Sequence, residues 1–174
     1  MSELFSIQLQ NRQQQGSDGV WLDLPTTTEQ VQAALRQIGI SSDNPQGLFI
    51  SGYFAEEEKR FAISYNMVLA SNVDELNFLA SRLETLSTGE RAELNAALQA
   101  PQSELFSIGR ITDFPENVDY YVHLPDVHGP AQLGDYYLNR SGMVNMPEEW
   151  KGGIDTAQFG RYVAQQEQGA FTQY

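Results

Sequence analysis

"SNVDELNFLASRLETLSTGERAELNAALQA", residues 71–100, uses one device twice. Asn72 with Glu75, and Ser87 with Glu90, have the spacing of a capping box, in which the first side chain accepts from a backbone N–H of the first turn and the second reaches back. Behind the first pair, Val73, Leu76, Leu79, Ala80, Leu83 and Leu86 recur at helical spacing. Behind the second, Leu94, Ala97 and Leu98 do so until Pro101. The stretch predicts two helices that join through a tight turn and lie antiparallel, so the middle of the chain is helical.

Upstream the period changes. Phe5, Ile7 and Leu9 alternate in "ELFSIQL" (3–9), as a half-buried strand requires. "VWLDL" (20–24) predicts a second strand ended by Pro25, and "GLFISGYF" (47–54) a third. Between them, "TTTEQVQAALRQIG" predicts a short helix with a capping box from Thr26 to Glu29 and a stop at Gly39. The first third is therefore β-β-α-β.

Downstream, "SELFSIGRI" (103–111) repeats six N-terminal residues. Its apolar positions, Leu105, Ile108 and Ile111, fall at helical spacing, so it predicts a helix and the identity is chance. "VDYYVHL" (118–124) alternates as a strand, with Asp119 on the exposed side, and "PDVHGP" is a turn. Helices follow in "AQLGDYYLNRSG", closed by Gly142, in "MPEEW", with Pro147 at its first position, and in "DTAQFGRYVAQQEQG", capped by Asp155. The fold class expected is α+β, an elongated chain of three small modules. These are a β-rich α/β module (1–65), a helical module (66–112) and a C-terminal α/β module (113–174).

The chain has 174 residues and 41% hydrophobic content, enough for a packed core. It lacks an apolar run of membrane-spanning length, and "MSELFSIQLQNRQQQ" lacks the basic start and apolar stretch of a signal peptide, so a cytoplasmic protein is expected. The absence of cysteine excludes disulfides, thiolate catalysis and Cys-ligated zinc. No phosphate-cradling, dinucleotide, nucleophile-elbow or zinc-protease motif is present. His123, Asp126 and His128 in "HLPDVH" form the one local set of metal-ligand types, and are read as a turn carrying two surface histidines. Tyr136, Tyr137 and Trp150 are read as packing aromatics. No enzyme, cofactor or metal is expected, although those three residues would have to carry the chemistry if there were one.

Charge says more. There are 23 acids against 10 bases, a net of −13. Such a field repels nucleic acid and anionic membranes and attracts basic surfaces. The acids are unevenly placed. "ITDFPENVDYYVHLPDVHGPAQLGDYYLN" (111–139) holds Asp113, Glu116, Asp119, Asp126 and Asp135 and no Lys or Arg. Elsewhere acids run together as Glu56-Glu57-Glu58 and Glu148-Glu149.

"LGDYYLNRSGMVNMPEEWKGGIDTAQFGRYVAQQEQGAF" (133–171) resembles the C-terminal signature of ArdA-type antirestriction proteins. The matching positions are Tyr136-Tyr137, Gly142, Pro147, Ile154-Asp155 and Phe159-Gly160-Arg161. "GVWLDLP", with Trp21 and Pro25, and the helix "DELNFLASRLETL" are similar to earlier parts of the same family. The resemblance implies small α/β end modules around a helical middle, frequent dimerisation, and inhibition of Type I restriction-modification enzymes by imitation of DNA. Such proteins are typically carried by conjugative plasmids and transposons. It also gives the acidic stretch a reason. A groove lined with Lys and Arg to receive phosphates can receive carboxylates instead, and a cation within that face would oppose it. On this reading Asp113, Glu116, Asp119, Asp126, Asp135, Glu148, Glu149, Glu56, Glu57 and Glu58 belong to a DNA-like ridge that meets the modification and specificity subunits. The alternative is an acidic protein-interaction module aimed at another basic, DNA-binding partner.

Overall fold

The β1 strand (Phe5–Asn11) buries Phe5, Ile7, Leu9 and Asn11 and leaves Ser6, Gln8 and Gln10 on its other face, the alternation that a one-sided sheet demands. A computed structural model describes residues 3–14, 18–41, 46–101, 103–116 and 121–174. In it β1 is the centre of a three-stranded antiparallel sheet of order β2-β1-β3, with β2 at Val20–Leu24 and β3 at Leu48–Phe54. Gln8 pairs with Gly52 and Leu9 with Ile50, so Ser51 is the extra residue of a bulge. The Ser51 hydroxyl donates to the Gln8 side-chain oxygen at 3.0 Å.

Helix α1 (Thr28–Gln37) begins one residue later than expected. Its cap is Thr27, closed by Gln30, rather than Thr26 with Glu29. The reason lies far along the chain. The Thr26 N–H donates to Asn77 Oδ1 at 2.7 Å, and its carbonyl accepts from Asn77 Nδ2 at 3.0 Å, which fixes the Thr26 backbone outside the helix. The stop at Gly39 is as read: its φ of +68° is a conformation that glycine adopts without strain.

After a short helix, α2 (Tyr65–Leu69), come α3 (Val73–Glu84) and α4 (Thr88–Gln99). The caps fall where the spacing placed them. Asn72 accepts from the Glu75 N–H, and Ser87 and Glu90 form the reciprocal box. Helix α3 packs on α5 (Ile108–Thr112) and β2. Asn95, buried in α4, accepts from the Ala62 N–H at 2.8 Å, and this draws α4 toward the segment after β3. Helix α5 is shorter than the repeat suggested, because Ser107 caps it and Leu105 precedes it. Buried side chains from Leu4 to Phe114 make one contiguous core, so the sheet and the central helices share an interior.

The C-terminal region holds the largest departure. Residues 117–120 lie outside the described residues, and 121–124 are not a strand. Tyr121 packs on Phe114 with ring centroids 5.3 Å apart, while Val122 is 84% exposed. Without a neighbouring strand to take its N–H and C=O groups, an alternating sequence has no ladder to join. Among the described residues after 113 there is no strand, while the chain as described combines helices with a three-stranded antiparallel sheet, the α+β class expected. Helix α6 (Pro130–Asp135) runs into a π-helical turn (Tyr136–Arg140). Helix α7 (Glu148–Lys151) is preceded by Pro147 as its cap, one position earlier than expected, and α8 (Thr156–Gln166) is capped by Asp155.

Helices α6 and α8 meet backbone to backbone. A methyl group on Gly134 would overlap the Thr156 carbonyl, and one on Gly160 would overlap the Pro130 carbonyl. Each glycine is there because nothing larger fits. Leu133, Leu138 and Val163 are the buried apolar side chains around this crossing, outside the core of residues 4–114.

Candidate partner-binding surface

The ten carboxylates singled out in the sequence do not share one electrostatic state. Glu116 accepts a 2.8 Å ion pair from Arg82 of α3, a residue 34 positions away. Asp135 faces Arg140 at 3.5 Å and also accepts from Asn139 at 2.8 Å. Glu148 pairs with Lys151 at 2.9 Å and Glu56 with Lys59 at 2.8 Å. Asp126, Glu149, Glu57 and Glu58 are exposed and have no ion pair among the described residues. Asp113 is exposed at the end of α5, and Asp119 lies outside the described residues. A stretch free of cations in sequence is therefore not free of them in space.

The cations themselves are held down. Lys59, Arg82, Arg110, Arg140 and Lys151 pair with carboxylates of the same chain. Arg12 lies over Phe49, Arg91 over Phe61, Arg110 over Phe106 and Arg140 over Tyr136, at 4.7–5.5 Å from the ring centres. Seven of the ten Lys and Arg are thus occupied within the molecule. Aromatic faces attract guanidinium groups through the ring quadrupole. The sequence reading counted charges and missed this restraint, because the partners are far apart along the chain.

Some acids serve the helices instead. The Glu90 carboxylate accepts from the Ser87 hydroxyl at 2.6 Å and the Ser87 N–H at 2.8 Å, and these two bonds hold it below the usual carboxylate range. Glu29 is lowered chiefly by a bond from its own backbone and then by Thr27. Among the tyrosines, burial pushes Tyr137 up, with Glu167 and Tyr136 adding to it, and burial pushes Tyr121 up with Glu104.

His123, Asp126 and His128 do not come together as a possible metal-ligand set among the described residues. His123 is not the surface histidine that was expected: it is half-buried, and its Nε2 is enclosed without a hydrogen-bond partner. Tyr136 and Tyr137 do pack, edge to face at 5.6 Å, but Trp150 is 66% exposed rather than packed. Among the described residues, no helix is long and apolar enough to cross a membrane.

A family model described as antirestriction protein (ArdA) matches residues 15–174. No curated protein matches the chain.

Proposed function

The chain belongs to the ArdA antirestriction protein family, and from that premise we propose that it occupies the DNA-binding groove of Type I restriction-modification enzymes as a mimic of DNA. Antirestriction is the family's function; the DNA mimicry and the Type I target are our reading. The observation that carries it is the charge in its three-dimensional setting. The net charge is −13, and most of the cations that could interrupt the acidic surface are tied to carboxylates or rings of the same chain. Arg36, Arg60 and Arg161 stay exposed, but carboxylates outnumber them on the surface, and a carboxylate is the group that a phosphate-binding groove can accept in place of DNA. The proposed contact residues are the exposed acids of the set, Glu57, Glu58, Asp126 and Glu149, together with Asp113, Glu116, Asp135, Glu148 and Glu56. The chain acts by binding, and no catalytic step is assigned to it.

We further propose that two copies associate through the C-terminal third. Its small core leaves Met143, Trp150 and Tyr162 exposed, apolar side chains that a second copy would cover.

The deciding measurement is competition. A modification-specificity complex bound to labelled duplex DNA should release it as the protein is added. Undiminished DNA binding by a panel of Type I complexes at saturating protein would refute the reading.

A further inference from the structure

Beside the β2 edge, where the strand turns into α1, lies a cleft of about 400 Å³ lined by Glu3, Trp21, Asp23, Pro25, Thr26 and Gln30. Trp21 and Asp23 enter it from the outer face of the sheet. Trp21 pairs with Gln8, and Gln8 with Gly52, so the three stand in a row across the strands. The indole crosses that row. A methyl group on Gly52 would come within 3.0 Å of its Cη2, so the missing side chain there makes room for the ring. Half of Trp21 stays exposed (51%), and Phe54 on the same face is 59% exposed.

Asp23 is two residues along β2 on the same face, held by the Ser6 hydroxyl, which donates to its Oδ1 at 2.6 Å. Among the described residues, no ion pair joins a Lys or Arg to Asp23 or Glu3. Lys59 is ion-paired to Glu56 at 2.8 Å, and its charge is also felt by Glu3. At the far end of the same face, by contrast, Phe49 is covered by the chain's own Arg12, 5.3 Å above its centre. This face thus carries one aromatic ring, Phe49, under a guanidinium of the chain, and one, Trp21, with carboxylates beside it and, among the described residues, no guanidinium over it.

We propose that the cleft takes an arginine side chain of the partner, with the guanidinium lying on Trp21 and pairing with Asp23 and Glu3. This deepens the functional reading and rests on its premise of a basic, DNA-binding partner. A flat, weakly hydrated guanidinium suits both halves of the site, since it stacks on an indole and bonds a carboxylate edge-on; an ammonium does only the second well. Such a contact adds a shape-selective element to an interaction otherwise made of dispersed charge.

The test uses the whole chain and N-acetyl-argininamide as the probe. Backbone amides are followed by proton–nitrogen NMR, with N-acetyl-lysinamide and sodium chloride at equal ionic strength as controls. Saturable shifts centred on residues 21–30 and larger with the arginine probe are expected. Asp23→Asn and Trp21→Leu should each weaken the response about threefold, with the rest of the spectrum unchanged. Equal shifts with sodium chloride or the lysine probe, shifts spread over the other acidic surfaces, or unaltered binding by Asp23→Asn would overturn the assignment. A second arm separates this from the functional reading. If the parent fails to displace DNA from Type I complexes, that reading fails while the titration still decides the cleft. If the parent displaces DNA and both variants do so equally well, the cleft is not an arginine site of that interface.

Discussion

At the scale of single residues, an acid in this protein matters by what lies next to it. Asp126 and Glu149 are exposed and have no ion pair among the described residues, whereas Glu116 holds Arg82 at 2.8 Å. An exposed carboxylate contributes about 0.2–1 kcal/mol to a contact. Asp126→Asn or Glu149→Gln should therefore weaken inhibition only slightly. Glu116→Gln removes one negative charge and also releases a guanidinium into the acidic surface, so it should weaken inhibition more than either, by titration against a Type I complex. Replacing Asp113, Glu116, Asp119, Asp126 and Asp135 together by their amides should reduce inhibition clearly while circular dichroism stays native. Equal inhibition by that variant would move the active face elsewhere. The sequence showed these five residues but not their partners. Arg82 is 34 positions from Glu116, and neither composition nor spacing records such a contact.

At the scale of elements, the boundary between what was legible and what was not follows the range of the interaction. The caps of α3 and α4 were legible because Asn72 with Glu75 and Ser87 with Glu90 act within one turn. The start of α1 depends on the Thr26 N–H donating to Asn77, 51 positions away, and the setting of α4 on the Ala62 N–H donating to Asn95. The strand over 118–124 failed in its described part because alternation states a preference, not the presence of a partner strand. Two predictions belong here. Ser87→Ala removes a satisfied cap and should cost about 0.5–2 kcal/mol in chemical denaturation. Because Glu90 is held below the usual carboxylate range, its contribution is fully present above that range and is lost as pH falls through the lowered value. The gap between the parent and Glu90→Gln should therefore close on acidification, not on alkalinisation. The second concerns the helix crossing. Gly134→Ala or Gly160→Ala drives a methyl group into the facing backbone and should destabilise the α6–α8 pair by about 1–3 kcal/mol, as amide exchange in Thr156–Gln166 would show. Gly89→Ala in α4 meets no atom within 4 Å and should be neutral or stabilising.

At the scale of the whole molecule, imitation of DNA is a statement about charge density, and salt measures it. A duplex carries about one charge per 1.7 Å of axis and holds condensed counterions, which a binding protein releases. Its affinity consequently falls steeply as salt rises, with a slope set by the number of phosphates contacted. This chain has a net of −13, and several of its acids already face cations of their own. Its field is thinner than that of DNA, so it condenses fewer ions and has fewer to release. Between about 50 and 200 mM sodium chloride, where the screening length shortens to near 10 Å and below, its affinity for a Type I complex should fall less steeply than that of duplex DNA. The competition should then shift toward the protein as salt is added, and less of it should be needed to displace a fixed amount of DNA. Dissociation constants of both ligands, plotted against the logarithm of salt concentration, give the two slopes. Equal slopes would mean that the bound face presents charge as densely as phosphate does, with the acids gathered far more tightly than a net of −13 over the whole chain suggests. A slope near zero for the protein would mean that apolar and aromatic contacts, not carboxylates, hold the complex together.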